Sequence, residues 1–130
     1  MLTQSKYSLS NLRATHPVRR VRASEVRNQA RNIPVNIRGR RLGGYPHAFG
    51  NGEELRLEYN RSPLIEYPLM PDGRGPWRPG QQRLPGPARI VVNRYDRSVP
   101  EVMYHDPTQP VEEGRQTRPF AMANYRRRRE

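Results

Sequence analysis

The sequence lacks cysteine, has almost no lysine and contains no long apolar run, and each absence excludes a class of protein. Without cysteine the chain cannot form a disulfide, attack a substrate through a thiolate or hold zinc on Cys ligands. No stretch approaches the ~20 apolar residues that cross a bilayer, so no membrane span is expected. Met1 to Gln4 begin no apolar signal segment, and the missing cysteines fit a reducing, intracellular compartment.

Arginine is what the sequence has in excess. The 130 residues hold 24 Lys+Arg against 12 Asp+Glu, a net charge of +12, and Lys6 is the only lysine. The planar guanidinium of arginine binds phosphate oxygens in pairs. This balance predicts an anionic partner, most simply nucleic acid.

The amino-acid composition is typical of a disordered chain, but the order of apolar and polar residues along the sequence is not. The sequence has 14 Pro, 10 Gly and a mean hydropathy of −1.05. Regular alternation in the middle of the chain nevertheless favours one folded domain over residues 23–125. Residues 1–22 have no sustained period and are interpreted as a basic N-terminal arm, and residues 126–130 as an arginine-rich tail.

The hydrophobic pattern predicts one short helix and several strands. Ser24 can cap the helix, Glu25 suits its first turn, and apolar residues then recur on one face at Val26, Ala30 and Ile33. Alternating apolar and polar residues predict strands over residues 55–59, 64–69, 89–93, 99–105 and 120–125. Segments 71–87 and 106–119 are dense in Pro and Gly and indicate long surface loops. The predicted class is α+β: one short helix packed on a mostly antiparallel sheet, with basic terminal extensions.

Polar side chains of catalytic type follow or interrupt these apolar strands. Glu66 stands in Leu-Ile-Glu-Tyr-Pro, Arg89 in Pro-Ala-Arg-Ile-Val, His105 ends Val-Met-Tyr-His, and His47 follows Tyr45-Pro. Side chains alternate between the two faces of a sheet. If the strands are neighbours, one face gathers a carboxylate, an arginine, two imidazoles and a phenol.

The order of these motifs resembles a known family. Tyr-Pro-His-x-Phe at 45–49, Glu-Tyr-Pro at 66–68, Pro-Gly-Pro-Ala-Arg-Ile-Val at 85–91, a strand ending in His105 and Pro-Phe at 119–120 follow one another. This series is similar to that of the fungal guanyl-specific ribonuclease T1/U2 family, which is related to the sarcin-type ribotoxins and to ribonuclease-like fungal effectors. The resemblance runs from about Ala23 to Met122, so it makes residues 23–125 a ribonuclease T1-like domain, and it implies a secreted protein.

The resemblance implies a role for each matching residue. Glu66 corresponds to the general base, His105 to the general acid and Arg89 to the phosphate-binding arginine. His47 corresponds to the histidine that assists the base, and Tyr45 to a phenol that contacts the phosphate.

Four further residues correspond to the walls of the family's site. Phe120 matches the apolar residue that closes the site beside the leaving group. Phe49 would stack on the base, Asn51 would shape the recognition loop and Glu53 would accept hydrogen bonds from guanine. The implied partner is single-stranded RNA, with ribosomal RNA among the candidates, and the protein is expected to act as a monomer.

The implied reaction is cleavage of RNA through its own 2′-hydroxyl. It needs a base for that proton, an acid for the departing 5′-oxygen and a cation for the charge on the phosphoryl oxygens. A 2′,3′-cyclic phosphate results. No metal and no cofactor are expected.

Simpler interpretations stay open for several of these residues. Glu66 could form a structural ion pair with an arginine, a lone His47 or His105 is often structural, and Glu53 competes with Glu54 for the base-recognition role. The terminal arginines could contact RNA, direct localisation or only increase solubility.

Departures from the family pattern keep other functions open. Asp106 and Pro107 stand where the family usually has Thr, the family's disulfides are missing, and the loop before Glu66 is short, unlike the long lysine-rich insertion of ribotoxins. The alternatives to an RNA endonuclease are a catalytically weak or inactive RNA-binding effector of the same fold, a ribotoxin, and a module that binds an acidic protein.

Overall fold

The computed structural model describes residues 5–34, 44–78, 84–115 and 117–127, which contain one α-helix and eight β-strands. The elements in chain order are β1 (Lys6–Ser8), β2 (Arg20–Arg22), α1 (Ala23–Arg31), β3 (His47–Phe49), β4 (Leu64–Pro68), β5 (Ala88–Asn93), β6 (Asp96–His105), β7 (Phe120–Met122) and β8 (Asn124–Arg126). Two antiparallel sheets result, with strand orders β3-β4-β5-β6-β7 and β2-β1-β8. The α+β class predicted from the sequence is confirmed. In the described part of the chain, no helix is long and apolar enough to span a membrane.

The main core lies between α1 and one face of the five-stranded sheet. Val26 and Ala30, one turn apart on α1, are fully buried against the sheet. Ile90 and Val92 on β5 and Val102 on β6 face them because alternate residues of a strand share a face. This packing covers one face of the sheet, and the opposite face carries polar side chains beside a smaller apolar cluster.

The N-terminus of α1 differs from the prediction. Arg22, not Ser24, occupies the N-cap position, and no side chain caps the helix there. The helix is held by its buried face and by Gln29, whose side-chain amide donates to the carbonyl of Met70 and accepts from its N–H. Glu25 lies in the first turn as expected.

The prediction of a basic N-terminal arm is wrong for residues 5–22, the part of that segment that the structure describes. β1 and β2 pair with each other, and β1 pairs on its other side with β8. Leu9, Leu12, Val18 and Val21 are buried in the main core. The segment is therefore part of the folded domain, because its irregularly spaced apolar residues are covered by long-range contacts.

Most predicted strands are found, but residues 55–59 form none. The backbone N–H groups of Glu58, Tyr59 and Asn60 donate instead to the buried carboxylate of Glu101 on β6. Half-buried and exposed side chains still alternate over residues 55–58, although the segment pairs with no strand. The carboxylate takes the place of a neighbouring strand as the hydrogen-bond acceptor for these N–H groups. The single strand predicted over 120–125 is two, β7 and β8, which belong to different sheets.

Candidate active site

The strand register brings the candidate residues onto one face of the five-stranded sheet. Directly paired residues of antiparallel strands have side chains on the same face. His47 pairs with Glu66, and His105 pairs with Phe120. Glu66 also pairs with Val91, which lies two residues from Arg89 on β5 and so shares its face. The face opposite the helix therefore carries a carboxylate, a guanidinium and two imidazoles.

Glu66 forms the buried centre of this group. Its Oε1 lies 3.5 Å from Nε of Arg89 and 3.8 Å from Nε2 of His47. Burial raises the pKa of the Glu66 carboxyl above its ordinary value, while the neighbouring His47 and Arg89 act in the opposite direction. A carboxylate with a raised pKa is a stronger base than one in water.

Arg89 is a buried cation held in one orientation. Its Nη1 donates to the carbonyl oxygens of Gly86 and Ala88, at 2.6 and 2.9 Å, and its Nη2 donates to the Tyr45 hydroxyl at 2.9 Å. Its buried Nε makes no hydrogen bond and faces Glu66. The positive charge is thus fixed before any ligand arrives, which is the arrangement that stabilises developing negative charge most effectively.

Tyr45 connects the site to the core. Its ring stacks on His47 with centroids 4.6 Å apart and packs edge-on against Tyr67 and Trp77. Trp77 is itself buried in the main core. The phenol and the imidazole are therefore supported from behind by packed rings.

His105 lies at the end of β6, stacked on Phe120 with ring centroids 4.1 Å apart. Its Nδ1 lies 2.9 Å from the carbonyl oxygen of Arg118. A carbonyl only accepts, so Nδ1 carries the proton of this bond and Nε2 is left for proton exchange. Burial lowers the pKa of His105, and Arg89 lowers it further, whereas the Arg118 carbonyl and Glu53 oppose the change.

The loop between β3 and the extended segment that follows, residues 50–54, closes one side of the group. Asn51 has a left-handed φ of 51°, and its side chain both donates to the carbonyl of Leu55 and accepts from its N–H. Glu53 accepts a hydrogen bond of 2.8 Å from the backbone N–H of Phe120. Glu54, its competitor in the sequence analysis, is exposed. The carboxylate that reaches the site is therefore that of Glu53.

Phe49 joins a second, smaller apolar cluster on the same face. Its ring packs edge-on against Phe120 with centroids 5.9 Å apart, beside Leu64, Val91 and Met103. The half-buried Phe49 and Phe120 thus form an aromatic wall next to His105.

Asp106, which departs from the family pattern, anchors a loop. The buried carboxylate accepts from the side-chain amide of Asn11 at 2.8 Å and from the backbone and hydroxyl of Thr108. It therefore ties the loop after β6 to the N-terminal segment. No group of three or more His, Cys, Asp or Glu side chains among the described residues could hold a metal ion.

Two partners in the site are backbone groups that the sequence analysis did not find. The carbonyl of Arg118 orients His105, and the N–H of Phe120 holds Glu53. Every residue carries such groups, so no residue type could signal them.

A carboxylate, two imidazoles and a fixed guanidinium thus lie together on the open face of an antiparallel sheet, and groups of these types can exchange protons with a phosphodiester and stabilise its charge. A family model described as ribonuclease matches residues 10–112, and the chain belongs to this ribonuclease family. The match includes Tyr45, Glu66 and His105 and begins inside the N-terminal segment, which is further support for placing that segment in the domain. The protein is thus an endonuclease of RNA. A search of curated proteins finds no match.

Proposed function

We propose that the protein cleaves single-stranded RNA on the 3′ side of guanine by attack of the ribose 2′-oxygen on the adjacent phosphorus. Glu66 takes the 2′-hydroxyl proton, the bond from phosphorus to the 5′-oxygen breaks, and His105 gives its proton to that oxygen. The products are a 2′,3′-cyclic phosphate and a free 5′-hydroxyl. The reaction needs no metal, because the acid, the base and the cation are side chains.

The observation that carries this proposal is the position of Arg89 between the two titratable groups. Arg89 lies on β5, between β4, which carries Glu66, and β6, which carries His105, and its Nε is 3.5 Å from the Glu66 carboxylate. A phosphate near this guanidinium would therefore have the carboxylate and the imidazole as neighbours. General acid–base catalysis needs this placement of groups around the reacting atoms.

The surrounding residues support the same assignment. His47 and Tyr45, stacked on each other, lie beside Glu66 and Arg89 and would position the base and the phosphate. Phe120, stacked on His105, would close the site beside the leaving group. The base-recognition role falls to Phe49, Asn51 and Glu53 in our proposal, because the loop that carries them borders this wall.

The decisive experiment is cleavage of a single-stranded RNA in the presence of EDTA, with the products separated and their termini identified. We expect cleavage at guanines and a 2′,3′-cyclic phosphate on the upstream product. Activity that is lost with EDTA and restored by a divalent cation would overturn the metal-independent mechanism. RNA binding with no cleavage would favour the inactive RNA-binding alternative.

The roles of Glu66 and His105 can be tested by substitution. We expect Glu66→Gln and His105→Ala each to lower the cleavage rate by ~10²–10⁴, because each removes a proton-transfer group. Affinity for RNA should stay within a few-fold of the wild type. The matched controls are Glu112→Gln, on an exposed carboxylate, and His16→Ala, in the N-terminal segment. A parallel loss of binding and cleavage would contradict the assignment.

A further inference from the structure

A cavity lies at the junction of the two sheets, where the chain passes from β7 to β8. This sheet-junction groove has a volume of about 700 Å³, which is large enough for a nucleotide-sized ligand. Its floor is the part of β6 from Ser98 to Val102, and three tyrosines and three arginines line it: Tyr7, Tyr59, Tyr125, Arg27, Arg56 and Arg127.

The tyrosines present open aromatic surface to this groove. Tyr59 is 62% exposed and Tyr125 is 50% exposed. Tyr7 supports Tyr125 from below, with ring centroids 5.1 Å apart, and its hydroxyl donates to the carbonyl of Pro100. Exposed aromatic rings of this kind are the platforms on which unpaired bases stack.

The charge of the groove suits a phosphate backbone. Arg27, Arg56 and Arg127 are all exposed at its rim. Two carboxylates also line it, Glu58 and Glu101, but that of Glu101 is buried and accepts four hydrogen bonds from the 58–60 segment. The accessible charges are therefore three positive and one negative.

The groove lies next to the candidate active site along β7. Phe120, which stacks on His105, and Met122, which lines the groove, stand two residues apart on the same face of the strand. Two residues of a strand span about 7 Å. An RNA strand that leaves the site beside Phe120 would therefore have the groove within about one nucleotide's length.

We propose that the sheet-junction groove binds nucleotides of the single-stranded RNA substrate outside the pair of nucleotides that reacts. Bases stack on Tyr59 and Tyr125, and the arginines contact the intervening phosphates. The proposal rests on the proposed function in that one RNA molecule occupies both the site and the groove.

The experiment compares two matched double variants of the full chain. Arg56→Ala/Tyr59→Ala removes one arginine and one exposed tyrosine from the groove. Arg94→Ala/Tyr95→Ala removes the same chemistry elsewhere: Tyr95 is 81% exposed, and Arg94 lies over its ring. The binding probe is a 2′-O-methyl RNA of about ten nucleotides, a length within the range of single-strand sites, whose blocked 2′-oxygens prevent cleavage. The activity probe is the dinucleotide GpU.

We expect the groove variant to bind the 2′-O-methyl RNA at least about fivefold more weakly than the wild type, the lower end of the loss for one stacked base. Its slope of log affinity against log salt should fall by ~0.7 for the phosphate contact removed. The control variant should bind like the wild type, and both variants should cleave GpU at the wild-type rate.

Three results would overturn the groove proposal: wild-type binding by the groove variant, an equal loss in both variants, or displacement of the RNA by a polyglutamate peptide that binds the groove more tightly. The proposed function fails separately, if the wild type does not cleave GpU. The binding comparison remains valid in that case because it does not depend on cleavage.

Discussion

The pKa values of Glu66 and His105 are displaced toward each other, and the cause is the same for both side chains. Burial disfavours the charged form, so it raises the pKa of the carboxyl and lowers that of the imidazole. Catalysis in the proposed direction requires Glu66 ionised and His105 protonated. The two displacements therefore narrow the pH range in which both conditions hold.

We expect the pH profile of kcat/KM to be a narrow bell. The acid limb should lie above the ordinary carboxyl pKa of 4.5 and the alkaline limb below the ordinary imidazole pKa of 6.5. The measurement is GpU cleavage across this range at constant ionic strength. His105→Ala should abolish the alkaline limb in its residual activity. A profile that stays flat from acid to alkaline pH would contradict the acid–base pair.

The raised pKa of Glu66 also predicts how stability depends on pH. The folded protein holds this proton more tightly than the unfolded chain, so the stabilising contribution is complete below the unfolded pKa of 4.5. It is lost as pH rises through the higher folded value. We therefore expect the Tm of Glu66→Gln to rise relative to that of the wild type between acid and neutral pH. Thermal unfolding monitored by circular dichroism measures this difference.

The exposed-site variant Glu112→Gln is the control for this stability experiment. Its Tm difference from the wild type should change little over the same pH range. If the Tm of Glu66→Gln falls relative to that of the wild type as pH rises, ionised Glu66 stabilises the fold, and the prediction is wrong.

Individual candidates could be named from the sequence where a polar residue interrupts an apolar strand. Glu66, Arg89 and His105 each have this signature, and the structure brings all three to one sheet face. What local pattern could not supply is the environment of each group. The tautomer of His105 depends on the carbonyl of Arg118, thirteen residues along the chain.

At the scale of elements, the loop of residues 50–54 and strand β7 act as one unit. Glu53 joins them through the backbone N–H of Phe120, and Asn51 fixes the loop through two hydrogen bonds to Leu55. In the proposed function, a guanine would bind the same carboxylate that accepts from this backbone donor. The carboxylate proposed for base recognition is thus hydrogen-bonded to the residue that stacks on His105.

We expect cleavage after guanine to exceed cleavage after the other bases, and Glu53→Ala to flatten this preference. A guanine offers two donors to the carboxylate, and adenine cannot supply both, so the wrong base leaves an acceptor unsatisfied at ~1–3 kcal/mol per lost bond. The measurement is cleavage of GpU, ApU, CpU and UpU. Glu54→Ala, on the exposed neighbour, is the control. Pyrimidine preference, or an unchanged profile in Glu53→Ala, would remove Glu53 from base recognition.

Strand predictions succeeded where alternation and long-range pairing agree. Strands β4, β5 and β6 were all predicted within a few residues, because their apolar faces pack against α1 or the smaller cluster. Residues 55–59 alternate as clearly but form no strand, because Glu101, more than forty residues away, takes their N–H groups. Alternation of apolar and polar residues indicates which side chains are buried, but it does not show which group accepts the hydrogen bonds of the backbone N–H groups.

At the scale of the whole molecule, the ends of the described chain meet in one sheet. β1 lies between β2 and β8, with Tyr7 opposite both Val21 and Tyr125. The sequence could not predict this contact because the apolar residues of the first segment lack a regular period and their partner strand is almost the whole chain away. The family resemblance, which starts at about Ala23, also left this segment out.

We expect substitution in the N-terminal segment to destabilise the fold as a core substitution does. Leu9 is fully buried, so Leu9→Ala should lower the free energy of unfolding by about 2–5 kcal/mol. Leu84, which is 86% exposed, supplies the control, and Leu84→Ala should change it by less than ~0.5 kcal/mol. Urea unfolding measures both. Equal effects would mean that the segment is peripheral to the fold.

The pairing of β1 with β8 also orders events during translation. Chains are made from the amino end, so β1 is synthesised long before β8 exists, and β7, which brings Phe120 onto His105, comes almost as late. Until β7 and β8 have been made, each sheet lacks one of its edge strands. The candidate site, which needs Phe120 beside His105, is therefore completed late in synthesis.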